Sequence, residues 1–367
     1  MSYYHFAEVV HRQADKYGSR IALKYRNNET GKWLKISWRE FADKVMLTAE
    51  AMAEFGIGVQ ENIGVYSQNM QQCLYTDYGA YANRAVPIPL YATSSPAQID
   101  YIVNDAQIHT LFVGEQLQYN NAFKVQQKSA VLTRLVVFDS SVKLNPEDKT
   151  SVYFDDFLRL GNNTHAESTV KVRMKEASED DLATIVYTSG TTGMPKMVQH
   201  SHTYPLGHYV TGAYWHDIED DDIHLTLADT GWGKALWGKL YGQWMCEAPI
   251  FTYDFDKFDA HDILPMFKQY NITTFCAPPT MYRFFIKEDL SKYDLSSIEY
   301  STTAGEALNP EVYEQWKRAT GLSIYEGFGQ TETTLSIYNP VGSVPKSGSM
   351  GIPSPLYDVD LILPDGT

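Results

Sequence analysis

The chain has 367 residues, of which 44% are hydrophobic and 20% charged; this balance excludes a disordered polymer and predicts more than one compact part. Its net charge of -15 argues against nucleic acid or an anionic membrane surface as the main partner, and obliges an anionic substrate to find locally placed positive groups. Cys73, Cys246 and Cys276 fit neither a metal-ligand spacing nor a disulfide framework. There is no leader pattern at residues 1–6 and no apolar run near the roughly 20 residues of a membrane span, so the expected location is the cytoplasm.

In chain order, Ile63–Tyr66 reads as a strand, Asn69–Asn83 as a helix and Ala85–Leu90 as a strand whose prolines suit its ends. Ser95–Asp105 reads as a helix with Pro96 in its first turn, and Thr110–Val113 and Leu135–Phe138 as further strands. A polar stretch, Leu160–Asp181, joins this half to a second. There, strands are expected at His224–Leu227, Ile250–Tyr253, Thr273–Cys276, Ile298–Thr302 and Ser323–Tyr325, with helices at Ala235–Trp244, Ala260–Tyr270 and Pro310–Thr320. The alternation predicts an α/β protein of two similar, doubly wound subdomains with largely parallel sheets. The expected divisions are 1–180, 181–357 with the nucleotide motifs, and 358–367, where a small β subdomain begins and is cut at the turn 364–367.

Three stretches carry chemistry. The first is Tyr187-Thr188-Ser189-Gly190-Thr191-Thr192-Gly193-Met194-Pro195-Lys196, after the apolar run Leu182–Val186. Glycines let backbone amides turn toward an anion, hydroxyls add donors, and Lys196 adds a compact charge suited to phosphate. A hydrophilic surface loop would have a similar composition. A P-loop is excluded, because Pro195 precedes the lysine and Met197 follows it. The second stretch, Tyr325-Glu326-Gly327-Phe328-Gly329-Gln330-Thr331-Glu332-Thr333, sits just past a predicted strand. Phe328 can stack on a base, Thr331 can donate to phosphate and Glu332 can hold Mg²⁺, although Thr331 could equally cap a helix. The third, Thr302-Thr303-Ala304-Gly305-Glu306-Ala307-Leu308-Asn309-Pro310, also follows a strand, and its Ala304-Gly305 would let a planar ring approach the backbone; a plain strand–helix turn reads the same way.

These stretches, in this order, resemble the adenylate-forming superfamily over essentially the whole chain. Residues 195–200, Ala228–Trp232, Ala277–Arg283 and Gly305–Glu311 are most similar to its short- and medium-chain acyl-CoA synthetases. The resemblance implies that ATP phosphates are held by Thr188, Ser189, Gly190, Thr191, Thr192, Gly193 and Lys196. It implies that Gly305, Glu306 and Ala307 flank adenine, with Phe328, Gly329 and Gln330 alongside. Thr331 would meet the α-phosphate, and Glu332 would bind Mg²⁺. Lys196, Thr331 and Glu332 are the catalytic candidates. Trp232, Gly233, Ala304 and Gly329 would line the acyl pocket, where acetyl-CoA synthetases carry a tryptophan in place of Gly329. Lys234 has no assigned role and is expected to be a solvated side chain. The implied reaction joins a carboxylic acid to ATP as an acyl-adenylate and then to CoA. Loading of a carrier protein, or nucleotide binding without turnover, are the alternatives. The family's ribose-binding stretch, hinge and small C-terminal domain are expected to be absent from this chain.

Overall fold

The computed structural model describes residues 5–27, 30–188, 194–236, 241–255 and 258–363. Its strands, in chain order, are β1 (Ile21–Arg26), β2 (Trp33–Ser37), β3 (Asn62–Tyr66), β4 (Val86–Leu90), β5 (Thr110–Val113), β6 (Arg134–Val137), β7 (Val152–Tyr153), β8 (Leu182–Thr188), β9 (Lys196–Ser201), β10 (His224–Thr226), β11 (Ile250–Thr252), β12 (Thr274–Cys276), β13 (Tyr300–Ala304), β14 (Ile324–Gly329), β15 (Leu335–Tyr338) and β16 (Ile352–Pro353). Two compact units result. One holds residues 1–206, 229–236 and 250–257, and the other holds 207–228, 237–249 and 258–367.

In the first unit, β4-β3-β5-β6-β7 form an all-parallel sheet. Counted from β3 as first, the order is 2-1-3-4-5, a doubly wound topology. Its strands are apolar on both faces, as a sheet covered on both sides requires, and Leu111, Phe112, Val113, Val136 and Val137 are wholly buried. Helices Gln71–Asn83, Pro96–Asp105 and Gln116–Gln126 make the crossovers. The second of these starts at a capping box between Ser95 and Gln98. Pro87 and Pro89 stand inside β4, not at its ends as the sequence suggested. The strand tolerates them because it is the sheet edge, where alternate N–H groups have no strand partner to serve. The same unit holds β1, antiparallel to β2 and parallel to β11, and the hairpin β8–β9.

The unit boundary does not fall at residue 180. Arg84 grips Asp181, at the foot of β8, through Nε at 2.8 Å and Nη2 at 3.1 Å. Gln60 exchanges hydrogen bonds with the backbone of Leu182, and the Thr184 hydroxyl donates to the Pro87 carbonyl at 2.8 Å. Ile185 and Tyr187 belong to the core of the five-stranded sheet. These bonds keep the hairpin with the first unit. The polar stretch before it is largely helical, Phe154–Gly161 and Thr164–Lys175, the latter burying only Ala166 and Val170.

In the second unit β10, β12, β13 and β14 are parallel, followed by antiparallel β15 and β16. Helices Ala260–Gln269, Pro279–Phe285 and Pro310–Thr320 connect them, the last capped by Asn309 with Pro310 in its first turn. The helix expected over 235–244 appears as Gly233–Ala235 and Gly242–Met245, with 237–240 outside the described residues. The strand expected from Val359 is not formed at 359–363, because the apolar side chains there find no partner: Leu361 is 95% exposed. Among the described residues, no helix is long and apolar enough to cross a membrane.

Candidate nucleotide and acyl site

The phosphate-loop candidates begin and end on one hairpin. Thr188, the last residue of β8, pairs in register with Lys196, the first of β9. Directly opposed antiparallel residues hold their Cβ atoms about 5 Å apart, so a hydroxyl and an ammonium flank the connection. Helix Pro96–Asp105 props both arms of this hairpin. Tyr187 Oη donates to Asp105 Oδ2 at 2.7 Å, and Tyr101 Oη donates to the Pro195 carbonyl at 3.2 Å. Burial, then the Asp105 carboxylate, drives the Tyr187 phenol far above its ordinary range, so it stays a donor. Lys196 is exposed and Thr188 half-buried. Ser189, Gly190, Thr191, Thr192 and Gly193 lie outside the described residues.

Trp232 and Gly233 belong to the first unit, on the segment 229–236. Asp229 Oδ1 accepts from Gly231 N at 2.9 Å and from Ala92 N at 3.2 Å, and the Thr230 hydroxyl donates to the Ser67 carbonyl. Gly231 presses so closely on Leu90 and Tyr91 that a Cβ there would overlap their backbones. These contacts put the segment beyond the carboxyl ends of β3 and β4. A three-residue helix, Gly233–Ala235, follows. Lys234 on it is 4% exposed, which corrects the expectation of a solvated side chain: the segment turns it inward, with Nζ 5.7 Å from the centre of the Trp232 ring.

The other candidates gather at the carboxyl ends of two neighbouring strands of the second unit. β13 and β14 are parallel, with Ala304 beside Gly327. Ala304, Gly305, Glu306 and Ala307 therefore emerge next to Phe328, Gly329, Gln330, Thr331 and Glu332, where open parallel sheets bind ligands. Gly305 has φ +99°, a conformation that favours glycine. Its loop is tied back by Glu326, whose Oε1 accepts from Leu308 N at 3.0 Å. Burial raises the Glu326 carboxyl above its usual range. Glu306 is held outside the loop, accepting from Thr280 Oγ1 at 2.9 Å and pairing with Arg283 Nη2 at 3.3 Å. Ala304 is buried, Phe328 is 39% exposed, and Glu332 is exposed.

No helix starts at Thr331, which excludes the capping reading. Residues 331–334 turn, and β15 returns antiparallel to β14. That turn is pinned by Thr333 Oγ1, which accepts from Gln330 N at 3.1 Å, and by Tyr357 Oη, which accepts from Thr334 N at 2.7 Å. Sequence reasoning missed these supports and the props at Tyr101, Asp105 and Asp229. Only Asp229, two residues before a glycine, left a local signature, that of an Asx turn.

The AMP-binding enzyme family matches residues 10–367. Acyl-coenzyme A synthetase ACSM5, mitochondrial, of Homo sapiens is 33% identical over 343 residues, 92% of this chain and 56% of that protein. Acyl-coenzyme A synthetase ACSM3, mitochondrial, of Rattus norvegicus is 42% identical over 193 residues, 52% of this chain and 33% of that protein. The chain thus spans between a third and just over half the length of these curated relatives. Among solved structures, the anthranilate CoA ligase AuaEII in complex with anthranoyl-AMP superposes with a TM-score of 0.85 at 24% identity, covering 99% of this chain and 67% of that one. The acyl-CoA synthetase of Brucella canis gives 0.82 at 20% identity, with 99% and 64% covered. With the family model matched along nearly all of its length, the chain belongs to the AMP-binding enzyme family.

Proposed function

We propose that this chain is the nucleotide- and acid-binding part of an acyl-CoA synthetase that activates a short- or medium-chain carboxylic acid with ATP and passes it to CoA. The observation that carries the reading is the register of β13 and β14, which brings Gly305–Ala307 and Phe328–Glu332 side by side at one sheet end. Phe328 offers an open ring face to a base, and the Gly305 loop lets that base lie against backbone. Thr188 and Lys196 would hold phosphate oxygens, and Thr331 would donate to the α-phosphate. Glu332 is an exposed carboxylate beside a hydroxyl, a hard oxygen pair suited to Mg²⁺, with phosphate oxygens and water completing the shell. A bound Mg²⁺ would neutralise charge on the phosphates.

Attack of a carboxylate on the α-phosphorus brings two anions together and expels pyrophosphate. Positioning and charge neutralisation must therefore supply most of the catalysis. Trp232 and Gly233 on the first unit, and Ala304 and Gly329 on the second, are the candidates for contact with the acyl group, and the thiolate of CoA would then displace AMP from the mixed anhydride. The absence of a side chain at Gly329 supports room for chains longer than acetate. Cys73, Cys246 and Cys276 are not joined in disulfides, which is consistent with a reducing compartment such as the cytoplasm.

The test is pyrophosphate release by the full-length protein with acids from acetate to decanoate and benzoate. Acid-dependent release that continues to thioester only with CoA is expected. Release that yields no thioester even when CoA is present would favour a carrier-protein acceptor, and no release with any acid would refute activation.

A further inference from the structure

The hairpin β8–β9 is a two-stranded sheet of its own, and two strands alone are only marginally stable. Its foot is bound to the rest of the first unit through Asp181, Leu182 and Thr184. The other end carries Thr188 and Lys196, and the end of a strand pair frays unless something holds it. Helix Pro96–Asp105 holds it with two side chains four residues apart, which share one helix face. Asp105 Oδ2 accepts from Tyr187 Oη at 2.7 Å, on the arm that ends in Thr188. Tyr101 Oη donates to the Pro195 carbonyl at 3.2 Å, on the arm that begins with Lys196. The Tyr101 and Tyr187 rings also meet edge to face, with centroids 6.5 Å apart and planes at 82°. Each hydrogen bond thus falls on the residue directly before a phosphate candidate. The Tyr187 side chain is buried, whereas Asp105 is exposed and fills no core, so packing does not account for the carboxylate at that position.

We propose that Tyr101, Asp105 and Tyr187 are positioning residues, which fix Thr188 and Lys196 at the separation and angle that the phosphates of ATP require. This rests on the phosphate-binding reading of the hairpin. The need for support follows from the two donors. Lysine reaches its ligand on a flexible four-carbon stem, whereas the threonine hydroxyl has almost no reach, so only a fixed backbone aims both at one group. A binding site is precise when the elements beneath it are locked. With one helix holding both arms, the two donors move only together. Asp105 acts through the hydrogen bond it accepts, so a neutral acceptor of the same length serves in its place.

The experiment measures binding of ATP with Mg²⁺ to the full-length protein by calorimetry, and the KM for butyrate in pyrophosphate exchange. Tyr187→Phe, Asp105→Ala and Tyr101→Phe should each weaken ATP binding about fivefold, as expected for one lost hydrogen bond, and leave the KM for butyrate within about twofold. Tyr187→Phe combined with Asp105→Ala should be no weaker than the worse of the two, because both remove the same bond. Asp105→Asn should recover most of the affinity lost in Asp105→Ala. Lys196→Ala is the reference. Weakened ATP binding in that variant, with wild-type affinity in Tyr187→Phe and Asp105→Ala, overturns the proposal. Losses that multiply in the double variant, or an equal rise in the KM for butyrate, overturn it as well. Should Asp105→Ala fail to fold, Tyr187→Phe, which removes a single oxygen, decides alone: wild-type affinity overturns the proposal and a selective loss of ATP binding supports it. Wild-type affinity in Lys196→Ala would instead refute the phosphate-binding reading, and the proposal with it.

Discussion

Lys196 and Glu332 are both exposed, one at the foot of a hairpin strand and one in a turn, so neither is needed to fill a core. Each can be cut back to alanine without disturbing the fold. Losing one electrostatic contact to the transition state typically costs about 3 kcal/mol, roughly a hundredfold in rate. Lys196→Ala and Glu332→Ala are each expected to slow pyrophosphate exchange by that order, and wild-type exchange in both would move the site elsewhere. Gly329 allows a sharper test. It ends β14, paired with Leu335 beside a bulge in the register, and its φ is not positive. Gly329→Trp should fill volume, and an equal loss on every acid would report a backbone effect at the bulge instead. Each methylene excluded from an apolar pocket is worth about 1 kcal/mol, so kcat/KM for hexanoate should fall far more than for acetate. An unchanged ratio would show that Gly329 does not bound the acyl group.

Among the elements, those that read well in the sequence are the buried parallel strands. β3, β5 and β6 are short apolar runs bounded by polar breaks, and a strand covered on both faces has no other pattern to show. Asn309-Pro310 and Ser95-Pro96 marked helix starts because caps are local chemistry. β14 read as half its length, since Glu326-Gly327-Phe328-Gly329 has little intrinsic strand preference and is held extended by β13 and β15 on either side. The inward turn of Lys234 was equally invisible: what buries it is a segment folded back on strand ends far away in sequence. That segment supplies its own prediction. A methyl group at residue 231 would collide with backbone, which cannot move as a side chain can. Gly231→Ala should cost at least the 1–3 kcal/mol typical of overpacking. The thermal midpoint should drop and the KM for the acid should rise; a midpoint equal to wild type would mean that the segment is not seated as described.

At the scale of the whole molecule, stability should begin to fall with pH before the carboxylates titrate. Burial holds His5 down to about 4, His202 to about 3 and His224 to about 3. His5 and His202 stack at 3.8 Å, and His224 is locked neutral between Thr226 and Thr274. The ordinary value is 6.5, so between there and the folded values the unfolded chain binds more protons than the folded one. Stability is thus full above about pH 6.5 and is lost as the pH falls toward 3. His224 alone contributes about 1.4 kcal/mol per pH unit within that window. Urea unfolding at pH 7.5 and pH 5.5 should show the midpoint falling, whereas equal midpoints would contradict buried neutral imidazoles.

The chain passes between its two units after residues 206, 228, 236, 249 and 257, and this interleaving bears on how the protein is made. When residue 206 leaves the ribosome, β1 still lacks its parallel neighbour β11, and Leu90 and Tyr91 still lack the cover of segment 229–236. At about 5–20 residues per second, the next fifty or so residues take roughly 3–10 seconds to emerge. For that interval the nascent chain carries an open strand edge and an uncovered seam, both suited to unwanted pairing. The first unit therefore matures only after two segments of the second, 207–228 and 237–249, have been synthesised, and its nascent form is the stage at which a chaperone has most to protect.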